Sequence, residues 1–252
     1  MGTCLPLVLE GLGLSDELVP PGWHGFGALG PIASAFVVTA VVEGKAGVRE
    51  LLGKMALWRV GLAWFLLSVF SPFLLLSVAV IVLSAVGTPL RDVVNLTPGS
   101  LGVVAWMVGV FYGVGEEPGW RGFALPQLQR GRSALSATVI LAVLWFFWHT
   151  PFFFYRYELS LSGLSGFFLG LLAGAIWLTC LYNSTGGSVL MCVLWHTAFN
   201  VVNVPEVVAP SALAIMSALV MVAGVVVVMV FKPATLSREA KVVGYAPLTR
   251  SD

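Results

Sequence analysis

Charge is what this chain has least of. Lys, Arg, Asp and Glu make up 10% of its 252 residues, against 58% hydrophobic residues, where a soluble globular chain carries about 25% charged residues. So little polar surface excludes an ordinary soluble domain, and lipid must act as the solvent. A net charge of +1 with no basic stripe excludes nucleic acid as a partner. Cysteine is scarce as well. Cys4, Cys180 and Cys192 are an odd number, and two of them fall in apolar runs, which argues against a disulfide framework. Residues 1–25 hold no basic stretch leading into a short apolar one, so no cleaved signal peptide is expected. Short alternating strands are missing too, which excludes a β-barrel.

What remains is a series of apolar segments, roughly 26–42, 60–86, 99–115, 133–154, 161–183, 187–204 and 208–231. A membrane span takes about 20 residues, and backbone groups in lipid must be satisfied within the segment, which makes these segments helices. The expected fold is therefore all-α, a polytopic transmembrane bundle of about seven spans, with the first and third of minimal length. Pro72 should kink the long second segment, or that helix should tilt. The chain divides into an N-terminal external arm (1–25), a transmembrane bundle (26–231) and a polar tail (232–252) expected to be mobile. Gly166, Gly170 and Gly174 recur every four residues and predict close approach of a neighbouring helix. Thr97 or Ser100 is placed to cap the third helix, and residues 122–132 read as amphipathic, lying along the inner interface.

Basic residues set the orientation. Lys45, Arg49, Lys54 and Arg59 follow the first span; Arg121, Arg130 and Arg132 follow the third; Lys232, Arg238, Lys241 and Arg250 follow the last. These are eleven of the thirteen, with only Arg91 and Arg156 on alternate loops. Positive charge gathers on the cytoplasmic side, so the N-terminus is expected outside and the C-terminus inside, in a multi-pass protein of the cell membrane.

Against this background Glu116-Glu117-Pro118-Gly119-Trp120-Arg121 stands out. Ionisable groups at the edge of a span are costly and mark functional sites by default. An acidic pair could simply end a helix among headgroups, but a helix C-terminus disfavours negative charge. If the helix continues, Glu117 and Arg121 lie four apart on one face and can pair. That leaves Glu116 desolvated beside a like charge, the setting of a general base. Two further polar groups sit inside spans: His149, in Trp145-Phe146-Phe147-Trp148-His149, and His196, with Asn200 one turn beyond it. Trp145 and His149 share a face, so the indole can fix the imidazole's angle. An Asn–His pair can be helix–helix glue, or the amide can donate to a developing oxyanion. A carboxylate, two imidazoles and an amide converging from three helices form a water-activating set suited to hydrolysis. Two His and a Glu are also a known catalytic zinc set, so Glu116, His149 and His196 are the candidate ligands if a divalent metal is used. A metal-free, Glu-activated water fits equally.

Glu-Glu-x-x-x-Arg, then aromatic-x-x-x-His, then His-x-x-x-Asn, on successive apolar segments, resembles the CPBP family of intramembrane proteases. That family includes the CAAX prenyl endopeptidases and the bacteriocin-processing or self-immunity (Abi) proteins. Arg121-Gly122-Phe123-Ala124-Leu125-Pro126 and Trp148-His149-Thr150-Pro151 add to the likeness, which covers roughly residues 100–205. It implies a helical intramembrane endopeptidase acting on a peptide or membrane-protein substrate: a CAAX-type prenylated tail, a leader peptide or a membrane protein. It implies Glu116 as the water-activating base, Glu117 and Arg121 in support, His149 and His196 as site histidines, and Asn200 as oxyanion partner. Trp145 stands where the family usually has Phe, and the family commonly has about eight spans. Three other readings compete. A rhomboid-like serine motif is echoed in Gly163-Leu164-Ser165-Gly166, with His196 as its base. A proton- or ion-coupled transporter would use Glu116, His149 and His196 as a relay. A catalytically silent immunity or scaffolding protein would keep the fold alone. One geometric demand separates them. Glu116 ends an inward-running span while His149 lies deep in the next, so the two meet only if the third helix runs on through Trp120, bent at Pro118.

Overall fold

The computed structural model describes residues 5–14, 23–95, 103–155, 160–204 and 207–244. Among them, helix accounts for the regular structure apart from one isolated antiparallel bridge, Val94 to Val208. The chain is an all-α, polytopic bundle of a multi-pass integral membrane protein. A short α1 (Leu5–Gly11) packs near the turn after the fifth long helix of the series given next. A 3₁₀ turn (Trp23–Ala28) leads into α2 (Leu29–Val42) and α3 (Gly44–Met55), followed by α4 (Leu62–Ala85) and a single turn, α5 (Leu90–Val93). Next come α6 (Val103–Glu117), a π-helical stretch (Pro118–Ala124) and α7 (Leu125–Leu128). The remainder is α8 (Ala134–His149) with its 3₁₀ extension (Thr150–Phe154), α9 (Leu161–Ser184), α10 (Val189–Val202) and α11 (Pro210–Val230). Thr97 and Ser100, the expected caps of α6, lie outside the described residues.

Five of the apolar segments are long and apolar enough to cross a membrane: Gly25–Val42, Leu62–Ala85, Ala134–Phe154, Leu161–Ser184 and Pro210–Val230. The other two are helical but shorter among the described residues. At 14 residues, α10 measures about 21 Å, below the roughly 30 Å hydrocarbon thickness. It can be short because protein surrounds it. Ten of its residues, from Val189 to Val202, are buried, and it packs against both α6 and α4. The main core forms where Leu141 and Trp145 of α8, Leu178 and Tyr182 of α9, and Met191 and Trp195 of α10 meet. Serines start three of the helices. Ser133, Ser160 and Ser188 accept from the backbone N–H of Ser136, Gly163 and Met191, satisfying donors that a helix start leaves orphaned. Pro72 lies inside α4, which is helical through it.

Three expectations change. The stretch 122–132 is not a separate surface helix. Through Leu128 it continues α6 towards one end of the bundle, with Gly122, Leu125, Pro126 and Gln129 buried. The tail is not loose between 232 and 244. The carbonyls of Pro233 and Ala234 accept the first N–H groups of α8 (Leu135 and Ala134, both 3.0 Å). Gln129 Nε2 donates to Val242 O at 2.7 Å, and Asn183 Nδ2 to Thr235 O at 2.8 Å. The segment is a strap that closes open hydrogen bonds at one end of the bundle. Third, the glycine ladder of α9 is not a packing seam. A Cβ at Gly166 or Gly174 would meet nothing within 4 Å, and at Gly170 only the Met221 side chain at 3.8 Å.

Candidate active site

The site is assembled by a different set of glycines. Gly109, Gly113, Glu117 and Arg121 are spaced by four, so in a helix they form one stripe. A Cβ at Gly109 would stand 3.0 Å from Thr197 O, and one at Gly113 would stand 3.0 Å from Val193 O and 2.6 Å from Thr197 Oγ1. The bare stripe lets the backbones of α6 and α10 approach closely, and the same stripe then carries Glu117 to the face of α10 that bears His196. Gly115 and Gly119 do the same toward α2, where added Cβ atoms would meet Ala28 O at 2.6 Å and Pro31 Cβ at 2.5 Å.

Glu117 is not the end of the helix. Pro118 has no N–H to give to the preceding turn, and the chain widens into π geometry instead of stopping. The Leu125 N–H reaches Trp120 O, five residues back, the bond that defines a π turn and one often found at functional sites. The continuation through Leu128 brings the groups to one depth. Glu117 lies eleven residues before Leu128, His196 eight after its cap Ser188, and Trp145 twelve after its cap Ser133. At about 1.5 Å per residue these are roughly 16, 12 and 18 Å from one end of the bundle.

Around this level the polar groups form a connected cluster. Glu117 Oε1 accepts from Arg121 Nη1 and from His196 Nδ1, each at 2.8 Å, and the carboxylate and guanidinium are fully buried. Removing either charge would strand the other in a dry interior, the costly outcome for a buried pair. The Arg121 guanidinium also lies over the Trp145 ring, 4.3 Å from its centroid, a desolvated cation–π contact. The edge of that ring serves the second carboxylate. Trp145 Nε1 donates to Glu116 Oε2 at 2.8 Å, and Glu116 is 3% exposed. His149 Nδ1 lies 2.8 Å from Trp145 O. A carbonyl can only accept, so Nδ1 carries the proton and Nε2 is left free. Trp145 packs on both imidazoles, with centroids 5.7 Å from His149 and 5.8 Å from His196.

Five of the six expected residues, Glu116, Glu117, Arg121, His149 and His196, therefore meet around one indole. His196 pairs with Glu117, and not with the proposed base Glu116. Asn200 is half-buried one turn beyond His196, and among the described residues no hydrogen bond ties its side chain to the cluster. Ser165 is exposed and donates to Ser162 O, on its own helix, at 3.1 Å, so the serine reading finds no Ser–His pair. The sequence reading misses Trp145 as a hydrogen-bond donor and Gly109 and Gly113 as the close contact. The signals were present: an indole where the family usually has Phe, and a second four-residue glycine spacing leading straight to Glu117.

The zinc set Glu116, His149 and His196 is not assembled. Among the described residues, no three His, Cys, Asp or Glu side chains come together as a metal-holding group. A zinc site needs its donors to converge at about 2.0–2.2 Å. Here each imidazole reaches its own partner across Trp145, the Trp145 carbonyl for one and the Glu117 carboxylate for the other. The residues as arranged do not fit a metal.

Comparison with known proteins places the likeness over this cluster. Residues 98–202 match the family model described as type II CAAX prenyl endopeptidase Rce1-like, a segment that contains all six candidate residues. The chain is also similar to the CAAX prenyl protease 2 of Methanococcus maripaludis, 30% identical over 92 residues. That alignment covers 34% of this chain and 34% of the relative, so the chain spans about a third of the length of the curated relative that it matches.

Proposed function

We propose that this chain is an intramembrane endopeptidase that uses water activated by Glu116, a reading that the likeness of residues 98–202 to the type II CAAX prenyl endopeptidase Rce1-like family model supports. One observation carries the reading. Glu116 is a buried carboxylate whose Oε2 is held by the Trp145 indole, and among the described residues no other side chain hydrogen-bonds it. Its second oxygen is therefore available to take a proton from water. The water oxygen then attacks the scissile carbonyl carbon, and the proton held by Glu116 passes to the departing amine nitrogen as the C–N bond breaks.

Glu117 has a different task. Its Oε1 is occupied by Arg121 and His196, so it holds the imidazole through Nδ1–H, and with His196 as the imidazolium the Nε2–H donates to the developing charge. Asn200, one turn on and uncommitted, adds an amide donor to the oxyanion. His149, held through Nδ1, orients the water. Aromatic rings exclude bulk solvent, which strengthens each of these contacts. The substrate is a peptide bond near the membrane: a CAAX-type prenylated tail, a leader peptide or a membrane protein. The end of the bundle bearing Arg130, Arg132, Lys232 and Lys241 faces the cytosol by the positive-inside rule, so the C-terminus lies inside.

The test is cleavage by purified wild type and Glu116→Ala of a prenylated CAAX peptide and of an unprenylated leader peptide. Wild type should cleave at least one, with Glu116→Ala slower by about 10²–10⁴-fold. Equal cleavage by both proteins would overturn the assignment, and so would no cleavage by the wild type.

A further inference from the structure

We propose that Trp145 is a positioning residue of this site: one indole aims Glu116 by its edge and seats Arg121 on its face, so that two adjacent carboxylates do different work. The inference rests on the hydrolytic reading above and deepens it. Glu116 and Glu117 are neighbours in sequence, both buried, and nothing in their chemistry tells them apart. Their surroundings do. Glu117 is neutralised by the guanidinium of Arg121 and engaged by His196. Among the described residues Glu116 has one donor, the neutral Trp145 Nε1 at 2.8 Å, which fixes the carboxylate without cancelling its charge. The same ring stacks under Arg121 at 4.3 Å, which holds the guanidinium on the Glu117 side. Its own carbonyl accepts from His149, so ring and backbone together set a base, a counter-charge and an imidazole.

Phenylalanine could fill this space and keep both stacking contacts, but it has no N–H. A buried acceptor would then have no protein donor, and the carboxylate could turn among rotamers. An aromatic at this position is thus adequate for packing, while the indole adds a hydrogen bond that only the tertiary arrangement uses. Trp120 supplies an internal control. Its ring packs 6.3 Å from that of Trp145 in the same cluster, yet it makes no bond to Glu116.

The experiment compares Trp145→Phe and Trp120→Phe with wild type and Glu116→Ala, each checked as folded by size-exclusion chromatography. Trp145→Phe should lower kcat about 10–100-fold with KM within about threefold, the pattern of a lost transition-state contact. Trp120→Phe should stay within about threefold in both. Independently of turnover, the indole ¹H–¹⁵N signal that Trp145→Phe deletes should shift in Glu116→Ala more than any other indole signal. An equal kcat loss in the two Phe variants would reduce Trp145 to packing and overturn the proposal. So would a wild-type kcat in Trp145→Phe, or an unmoved indole signal. Cleavage by Glu116→Ala at the wild-type rate would instead overturn the hydrolytic reading and this role with it, a result distinct from failure of Trp145 alone.

Discussion

Two four-residue glycine ladders run through this bundle, and they do opposite things. On α9, Gly166, Gly170 and Gly174 face open space or a single methionine methyl group. On α6, Gly109 and Gly113 press against the backbone of α10, at 3.0 Å in each case for an added Cβ. The spacing is the same, and it says only that a bare stripe exists. Whether the stripe is a seam depends on what lies opposite: for α6 a short, mostly buried helix whose backbone comes close, for α9 open space at two positions and only the tip of the α11 side chain Met221 at the third. In lipid there is no hydrophobic force to bring apolar faces together. The α6 ladder continues into Glu117 and Arg121, whose buried pairing with His196 gives that contact a polar reason to close.

The comparison breaks most severely at Arg121. Arg121→Ala leaves Glu117 charged and buried, and should cost about 3–5 kcal/mol, read as the shift in reversible detergent-induced unfolding, together with loss of cleavage. Gly113→Ala asks whether the seam is real. The new methyl meets Thr197 Oγ1 and Val193 O, and overpacking of this kind costs about 1–3 kcal/mol. Cleavage should fall further than stability, because the pair Glu117–His196 is pushed apart. A kinetic and unfolding series through Ala and Ser at 113 would show the trend. At the lower end of the same continuous segment, Gln129→Ala removes the donor to Val242 O and the partner of Asn183. It should cost about 1–2 kcal/mol and raise hydrogen exchange across residues 232–244. The mildest is Gly174→Ala on the other ladder, expected within about 0.5 kcal/mol of wild type and with unchanged cleavage. A large effect there would mean that α9 has a neighbour outside this chain.

Much of the fold can be read directly from the residues. Composition alone makes the chain a helical membrane bundle, and each of the seven apolar segments is helical among the described residues, three of them capped by serine and one begun by proline. The acidic pair, Arg121 and the two histidines were also visible, because ionisable groups inside apolar runs have few other reasons to be there. Length was less legible. A 14-residue helix looks like a marginal span, and only its enclosure by α4 and α6 explains why it need not reach across. The strap at 232–244 reads as a tail since most of the hydrogen bonds that tie it to the bundle are made by its backbone, which leaves no trace in side-chain composition. Trp145 is legible as a packing partner of His149 and not as a donor to Glu116, because an indole in an aromatic run fits both descriptions.

Residue chemistry by itself determined the solvent, the helices and the shortlist of polar side chains, since each follows from transfer and hydrogen-bond costs that are local to a segment. Beyond the Glu117–Arg121 pair that the four-residue spacing already foretells, tertiary structure alone decided the pairing: Glu117 with His196, Glu116 with Trp145, and the bare face of α6 with α10 instead of that of α9 with a neighbour. Those choices are made across helices, by which buried group can reach a partner at hydrogen-bond distance. No local pattern in the chain encodes that distance.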